Sequence, residues 1–206
     1  SDYIDLQNSI RTIFASSSII SSRFCLYDYE KNPQAITQGP RTTCVIYRVF
    51  DKIGKILKNY QNSNVPIVLD GNSYDEMAVH PLFEMIPFSI IENAIKYTYT
   101  CGSRNNVLIS FGYTNDYRLK ITIKSYGPYC SEEDSHKIFE KGYRGKNAQR
   151  VSAGSGIGLF FVKMLCDAHN ITISAKSDNQ YVTQISGIAY APFTVTLIFN
   201  DVLHIN

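Results

Sequence analysis

The chain has 206 residues, of which 44% are hydrophobic, and its 20 basic side chains nearly balance its 18 acidic ones. The formal charge of +2 provides no strong field for nucleic acid or an anionic membrane surface, so we expect neither as a partner. The length suits one to two domains, and the low glycine and proline content excludes collagen-like and disordered chains. Apolar runs all fall short of the roughly 18 to 20 residues of a membrane span, so we expect no membrane segment in this chain.

Five cysteines lie far apart along the sequence, without a C-x-x-C motif. An odd number at such spacing supports neither a disulfide framework nor a zinc knuckle. This usage fits a reducing compartment, so we expect a cytoplasmic protein or the cytosolic part of a larger sensor.

Residues 1–62 are predicted to form a helical hairpin. Apolar side chains recur at alternating spacings of three and four over residues 3–24 and again over residues 46–60, with an Asn-, Pro- and Gly-containing break between them. The two apolar stripes present more surface than a single pair of helices can bury, so we predict a homodimer through residues 1–62. The alternative is that the hairpin packs on the rest of the chain.

From residue 63 to 206 the pattern changes to that of a second, α/β domain. Helices are predicted over residues 81–97 and 157–168, and strands over residues 66–69, 107–113, 117–124, 171–175 and 193–199. A turn is expected at Asn115 and Asp116. The whole is therefore an α+β fold, with a mixed sheet of four or five strands covered by helices on one face.

Three alternating glycines occur in the run GSGIGL at residues 154–159, directly before a predicted helix. Glycine lets the backbone turn sharply and approach a ligand, and the helix N-terminus presents free N–H groups to phosphate. The run predicts an anion site, although glycine runs also cap helices or make room for packing. It follows most of the sheet, which is the wrong order for a dinucleotide-binding fold.

A polar patch ends the long helix, in the segment IIENAIKY at residues 90–97. Asn93, Lys96 and Tyr97 lie about one turn apart on one face. An amide oxygen can ligate Mg²⁺, an ammonium can neutralise phosphate oxygens, and an aromatic ring can flank a nucleotide. Taken singly, each of the three is also an ordinary solvated helix residue.

Four motifs in order along the chain resemble the catalytic ATP-binding domain of sensor histidine kinases. They are IIENAIKY, IFEKGYRG at residues 138–145, the glycine run, and DAHN at residues 167–170. That family belongs to the GHKL group, with DNA gyrase, Hsp90 and MutL. The resemblance covers about residues 63–200 and implies a Bergerat-type α/β sandwich that binds ATP beneath a mobile lid. Residues 140–153 look like that lid.

The resemblance implies Mg-ATP as the ligand and gives a role to each matching residue. Asn93 would hold Mg²⁺ and Lys96 a phosphate, which makes these two the candidate catalytic residues, and Tyr97 would flank the nucleotide. The other residues implied to contact the nucleotide are Ser125, Gly127, Phe139, Arg144, Gly154, Ser155, Gly156, Ile157, Gly158 and Leu159.

Two positions depart from the family pattern. The motif that usually reads Asp-x-Gly-x-Gly stands here as SYGPY at residues 125–129, so Ser125 replaces the carboxylate that accepts the adenine amino group. A neutral hydrogen bond is weaker than a charge-assisted one, so adenine is expected to be held more weakly or less selectively. Ser89 stands where the ATPases keep a glutamate that activates water, so vigorous ATP hydrolysis is not expected.

The phosphoacceptor histidine of the family is missing from the predicted hairpin. Ile10, Arg11 and Thr12 align with the acceptor pattern and put Asn8 at the histidine's position, where an amide has no basic nitrogen to attack phosphorus. The acceptor lies on another chain or an omitted segment, or Asn8 is a natural or engineered replacement, or the protein is an ATP-binding switch without kinase activity. These alternatives stay open from the sequence.

We therefore predict a histidine-kinase-like protein that binds Mg-ATP and transfers the γ-phosphoryl group to a supplied histidine in two-component-type signalling. A response regulator or another acceptor protein would be its partner. The alternative is a catalytically degenerate ATP-binding sensor that switches the conformation of a dimeric hairpin. A serine/threonine kinase of the anti-sigma-factor type shares the fold but does not explain the long hairpin.

Overall fold

The computed structural model describes residues 29–32, 34–60, 65–99 and 105–204. The strands are β1 (Thr42–Val45), β2 (Ile67–Asp70), β3 (Glu76–Val79), β4 (Val107–Tyr113), β5 (Leu119–Pro128), β6 (Ile171–Ser177), β7 (Thr183–Ile185) and β8 (Ile188–Phe199). The helices are α1 (Gln34–Gln38), α2 (Ile46–Tyr60), α3 (Met85–Tyr97), α4 (Glu132–Lys137), α5 (Lys146–Val151) and α6 (Gly158–Ala168). Short 3₁₀ turns occur at Pro81–Glu84 and Asn179–Tyr181.

The main sheet is mixed and has the strand order β2-β4-β5-β8-β6, with β7 paired to β8. β2 runs parallel to β4, and the other neighbouring pairs are antiparallel. The predicted α+β class and mixed sheet are confirmed, and β7 adds a short sixth strand to the predicted four or five. β1 and β3 form a separate antiparallel pair.

Alternation along β5 explains how the sheet acquires one covered face. Ile121 and Ile123 are buried under the helices, whereas Lys120 and Lys124 are exposed. The hairpin that joins β4 to β5 turns at Asn115 and Asp116, as predicted, and Thr114 accepts the N–H of Tyr117 at 3.0 Å.

The helix α3 is the central element of the covered face. Its length is mostly apolar, so it is buried between β5, α2 and α6. His80 precedes it and its Nδ1 accepts the N–H of Leu82 at 3.2 Å, which caps the 3₁₀ turn at Pro81. The predicted helix over residues 81–97 is therefore present, with a 3₁₀ first turn.

The helix α2 confirms the predicted helix over residues 46–60, and its apolar seam packs within the chain. Ile46, Phe50, Ile53 and Leu57 are at most 2% exposed and belong to the same core as α3. β1 leads into α2 and pairs with β3, which holds the start of the helix against the sandwich. For α2, this is the alternative given above, in which the hairpin packs on the rest of the chain. Any dimer interface within residues 1–62 would have to use other side chains.

The first helix predicted over residues 3–24, and Asn8 within it, lie outside the described residues. The domain boundary near residue 62 and the homodimer therefore stay predictions. Within the described part of the chain, no helix combines the length and the apolar character needed to cross a bilayer.

Candidate functional site

A cleft of about 370 Å³ opens between α3, the second half of β5 and residues 138–159. All but one of the residues singled out from the sequence line it. They are Asn93, Lys96, Tyr97, Ser125, Gly127, Arg144, Gly154, Ser155, Gly156, Ile157, Gly158 and Leu159.

Phe139 is the exception, since it is absent from the cleft wall that its neighbour Ile138 helps to form. Both residues lie in the turn that follows α4, where successive side chains point in different directions. Ile138 thus lines the cleft at this turn, and contact of Phe139 with a nucleotide stays a prediction.

Asn93 lies where α3 meets the start of α6. A Cβ atom added to Gly158 would lie 3.9 Å from Asn93 Nδ2, so the amide sits directly beside the first turn of α6. Ile157 occupies the N-cap of α6 and offers no side-chain oxygen to the first N–H groups. These donors are therefore left for water or an anionic ligand in the cleft.

Two cations at the glycine-loop end of the cleft are held by backbone carbonyl groups. Lys96 Nζ donates to the carbonyl of Ala153 at 2.7 Å. Arg144 donates to the carbonyl oxygens of Ala148, at 3.2 Å, and Ser152, and to the hydroxyl of Tyr97 at 3.3 Å. A phosphate oxygen is a stronger acceptor for these cations than a neutral carbonyl, so both can exchange their partners for a polyanion.

The backbone of Gly156 packs against the backbone of Gly142 and Tyr143, near the start of the lid-like segment. It has a positive φ of 70°, and its carbonyl accepts the N–H of Gly142 at 3.1 Å. A Cβ atom at Gly156 would lie 2.6–2.7 Å from backbone atoms of Gly142 and Tyr143. Only glycine fits this position without displacing the neighbouring backbone.

The wall of the cleft formed by the sheet is partly apolar. Ile123, Ser125 and Gly127 alternate along β5 and share its helix-facing side, and Phe193 of β8 pairs with Ser125. Val195 completes this wall. A cleft that combines two cations and a glycine loop with an apolar wall suits a flat ring attached to an anionic chain.

Three residues around α4 were not singled out from the sequence. The Tyr143 hydroxyl donates to Asp134, and this bond raises the pKa of Tyr143 to about 12. Cys130 lines the cleft, and burial, with a smaller contribution from the Asp134 charge, raises its pKa to about 12, so the thiol stays neutral. The sequence feature that could have indicated α4 is Ser131, whose hydroxyl caps this helix by accepting the backbone N–H of Asp134 at 3.1 Å.

Residues 81–195 match the family model described as histidine kinase-, DNA gyrase B-, and HSP90-like ATPase, which is more than half of the chain. The chain belongs to this ATPase family. Every residue that lines the cleft falls inside the matched range. The histidine kinase-like ATPase domain predicted from the sequence motifs is confirmed.

Curated relatives are sensor histidine kinases. The chain is 24% identical over 147 residues to sensor histidine kinase YxdK of Bacillus subtilis, and 34% identical over 88 residues to signal transduction histidine-protein kinase BaeS of Escherichia coli. These alignments cover 70% and 42% of this chain but 39% and 18% of the two relatives. The chain thus spans well under half the length of either protein.

Solved structures share the histidine kinase-like ATPase fold. The mycobacterial sensor histidine kinase MprB superposes with a TM-score of 0.60 at 14% identity, over 77% of this chain and 97% of that one. Full-length ShkA in complex with AMPPNP gives a TM-score of 0.61 at 14% identity, over 96% of this chain and 40% of that one. At these identities the likeness shows the fold.

Proposed function

We propose that this ATPase-family domain binds Mg-ATP in the cleft and passes the γ-phosphoryl group to a histidine in two-component signalling. The observation that supports this most strongly is the convergence of Asn93, Lys96 and the glycine loop in one cleft. The sensor histidine kinases among the relatives support the reaction class.

Phosphoryl transfer of this kind requires positioning and charge neutralisation more than covalent catalysis by the protein. In this proposal Lys96 and the N-terminus of α6 neutralise phosphate oxygens, and the glycine loop lets backbone N–H groups approach them. Arg144 binds phosphate from the lid side. Tyr97 flanks the nucleotide.

The residues of the cleft fit a magnesium ion held mainly by the nucleotide. Mg²⁺ keeps several waters and takes few protein ligands beside phosphates, and the Asn93 amide oxygen can supply one at the start of α6. Among the described residues no cluster of three or more His, Cys, Asp or Glu side chains forms a cage for a metal. When bound, the ion would neutralise charge on the phosphates.

Two cleft residues lack the basicity to activate water. Ser89 is buried on α3 and lines the cleft, and a serine hydroxyl cannot act as a general base at neutral pH. The neutral thiol of Cys130 is equally unsuited to activating water. Neither residue can therefore supply the base for ATP hydrolysis.

The acceptor histidine and the partners belong to the same proposal. Asn8 occupies the aligned acceptor position, so the histidine is supplied by another chain or segment. A response regulator would receive the phosphoryl group next, and the chain would form a homodimer through residues 1–62.

The second candidate function is an ATP-binding sensor without transfer, favoured by Asn8, Ser89 and Ser125 together. In it, nucleotide orders the lid-like segment and changes the packing of the dimeric helical hairpin. Both candidates require the same nucleotide site, and phosphoryl transfer separates them.

The test is incubation with Mg²⁺ and γ-labelled ATP, in the presence of an acceptor hairpin or with the Asn8→His variant, followed by analysis of acid-labile phosphate. We expect label on histidine, and we expect Asn93→Ala to reduce Mg-ATP affinity at least about tenfold through loss of a metal ligand.

Asn179→Ala is the matched control, because Asn179 is exposed in a 3₁₀ turn outside the cleft. Saturable binding without labelled histidine would support the sensor instead. Absence of binding at millimolar ATP would contradict both functions.

A further inference from the structure

The apolar wall of the cleft contains a polar side chain, Ser125, whose hydrogen bonding affects which purine base the cleft accepts. Met85, Ile123, Phe193 and Val195 supply apolar surface, and Ser125 lies between Ile123 and Gly127 on the same side of β5. A flat aromatic base fits such a surface, with its polar edge turned toward the hydroxyl. The anionic chain then extends toward Lys96 and the glycine loop.

The Ser125 hydroxyl is free to take either hydrogen-bonding role. Among the described residues it has no hydrogen-bond partner, and a hydroxyl both donates one hydrogen bond and accepts others. A carboxylate at this position would only accept, so it would select a base that presents an amino group. Ser89, on α3, carries another hydroxyl of the same dual capacity.

We propose that Ser125 makes the cleft tolerant at position 6 of a purine, so that 6-amino- and 6-oxopurine nucleoside triphosphates bind with comparable affinity. The hydroxyl accepts from an amino group and, after rotation, donates to a carbonyl oxygen. This inference rests on the proposed nucleotide-binding function and concerns the specificity of the same site. It makes Ser125 a specificity-determining residue.

The direct experiment compares Mg-ATP with Mg-ITP by calorimetric titration of the 206-residue chain. ITP has an oxygen in place of the 6-amino group and a proton on N1, with the same ribose and triphosphate. We expect the two dissociation constants to agree within about tenfold, since each base forms one neutral hydrogen bond to Ser125.

Two variants test the role of the side chain itself. Ser125→Asp should bind ATP more tightly and ITP more weakly, because a carboxylate strengthens the hydrogen bond from the 6-amino group and repels the 6-oxygen. The dissociation constant of ITP divided by that of ATP should therefore rise at least about tenfold. Ser125→Ala should weaken both nucleotides similarly and leave the ratio unchanged. Ser174→Asp is the matched control, since Ser174 is exposed on β6 outside the cleft.

The outcomes separate this inference from the proposed function. Binding of ATP with ITP weaker by more than about tenfold would overturn the inference alone, for example if the cleft residue Glu92 selects the amino group. An unchanged ratio in folded Ser125→Asp would also overturn it. If that variant does not fold by circular dichroism, the parent and Ser125→Ala titrations decide. Binding of neither nucleotide would reject both proposals.

Discussion

Gly156 and Gly158 serve the cleft in different ways. Gly156 has a positive φ and touches the backbone of Gly142 and Tyr143, whereas Gly158 opens α6 beside Asn93. Steric exclusion thus explains the first glycine. A Cβ atom at the second would make only an ordinary contact, so the role of Gly158 in binding a ligand stays a prediction.

Substitution of Gly156 by alanine tests the steric requirement. The left-handed backbone costs about 1–2 kcal/mol for an L-residue, and the backbone overlap adds to it, so Gly156→Ala should lose at least about 2 kcal/mol of unfolding free energy. Nucleotide affinity should fall as well, since the loop must move. Urea denaturation and calorimetric titration measure the two effects.

Gly112→Ala is the control, because a Cβ atom on Gly112 of β4 meets nothing within 4 Å. If Gly156→Ala were as stable as this control, the packing of the glycine loop described above would be wrong.

At the scale of elements, the segment of residues 144–153 is tied to α3 by cations. Arg144 bridges two carbonyl groups of this segment and the Tyr97 hydroxyl, and Lys96 of α3 holds the carbonyl of Ala153. The helix α5 is too short to be stable alone, so the position of the segment depends on these contacts and on two others. Asn147 donates to the carbonyl of Tyr129 at 2.9 Å, and Arg150 donates to the carbonyl of Gly187 at 2.7 Å.

Replacement of Arg144 by lysine should loosen this segment, because the guanidinium Nη2 serves all three acceptors and the shorter lysine side chain places its ammonium nearer the backbone. We expect amide hydrogen exchange of residues 144–153 to become at least about tenfold faster without nucleotide, while β5 and β8 stay protected. The control is Arg118→Lys at the turn between β4 and β5, where the guanidinium donates to Asp116 and Asn200 outside this segment. Equal exchange in the two variants would count against the role of Arg144.

The sequence predicted the longer elements well and the short ones poorly. Periodicity located α2, α3 and α6, because an amphipathic or buried helix of eleven or more residues repeats its pattern several times. β1, β3, α4 and α5 have four to six residues each, and they depend on partners distant in sequence. No local pattern of that length identifies them.

The packing partner of α2 was also beyond the sequence pattern. A seam with spacings of three and four looks the same whether it faces a second chain or the chain's own core. In the structure Phe50 and Ile53 of this seam join the core of the sandwich. The cleft was predicted better than this packing, because its residues come from ordered motifs, whereas the carbonyl partners of Lys96 and Arg144 require three-dimensional geometry.

At the scale of the whole molecule, two buried histidines join the end of α6 to the start of the α3 region. The backbone N–H of His80 donates to the His169 ring nitrogen Nε2 at 3.0 Å, and His169 Nδ1 lies 2.7 Å from the carbonyl oxygen of Leu165. His169 is therefore a neutral ring that donates through Nδ1 and accepts through Nε2. Burial, followed by the charge of Arg41, lowers the pKa of His80, and burial also lowers the pKa of His169.

The buried pair His80 and His169 should make the fold less stable in mild acid. The unfolded chain takes up protons on these histidines near their ordinary pKa of 6.5, while the folded chain does so only at lower pH. Unfolding in mild acid then takes up protons. The contribution of these histidines to the unfolding free energy is therefore largest above pH 6.5, and it falls as the pH drops toward their lowered pKa values in the folded chain. Urea denaturation at pH 7.5 and pH 5.0 should show lower stability at pH 5.0.

His80→Asn should reduce this pH dependence while keeping a side-chain acceptor for the Leu82 N–H. His136→Asn, on the exposed surface of α4, is the control and should leave the dependence as in the parent chain. An identical slope in the His80 variant and the parent would show that this histidine does not contribute.

In the proposed function, the carbonyl groups that hold Lys96 and Arg144 would compete with the nucleotide for particular donors. A phosphate oxygen that takes the N–H now bonded to a carbonyl must first break that bond, so these contacts would weaken the observed affinity. The same bonds that order the segment of residues 144–153 would then help to set the nucleotide concentration at which the cleft fills. A protein with this arrangement can retune its response to nucleotide through the segment alone, without altering a residue that touches the ligand.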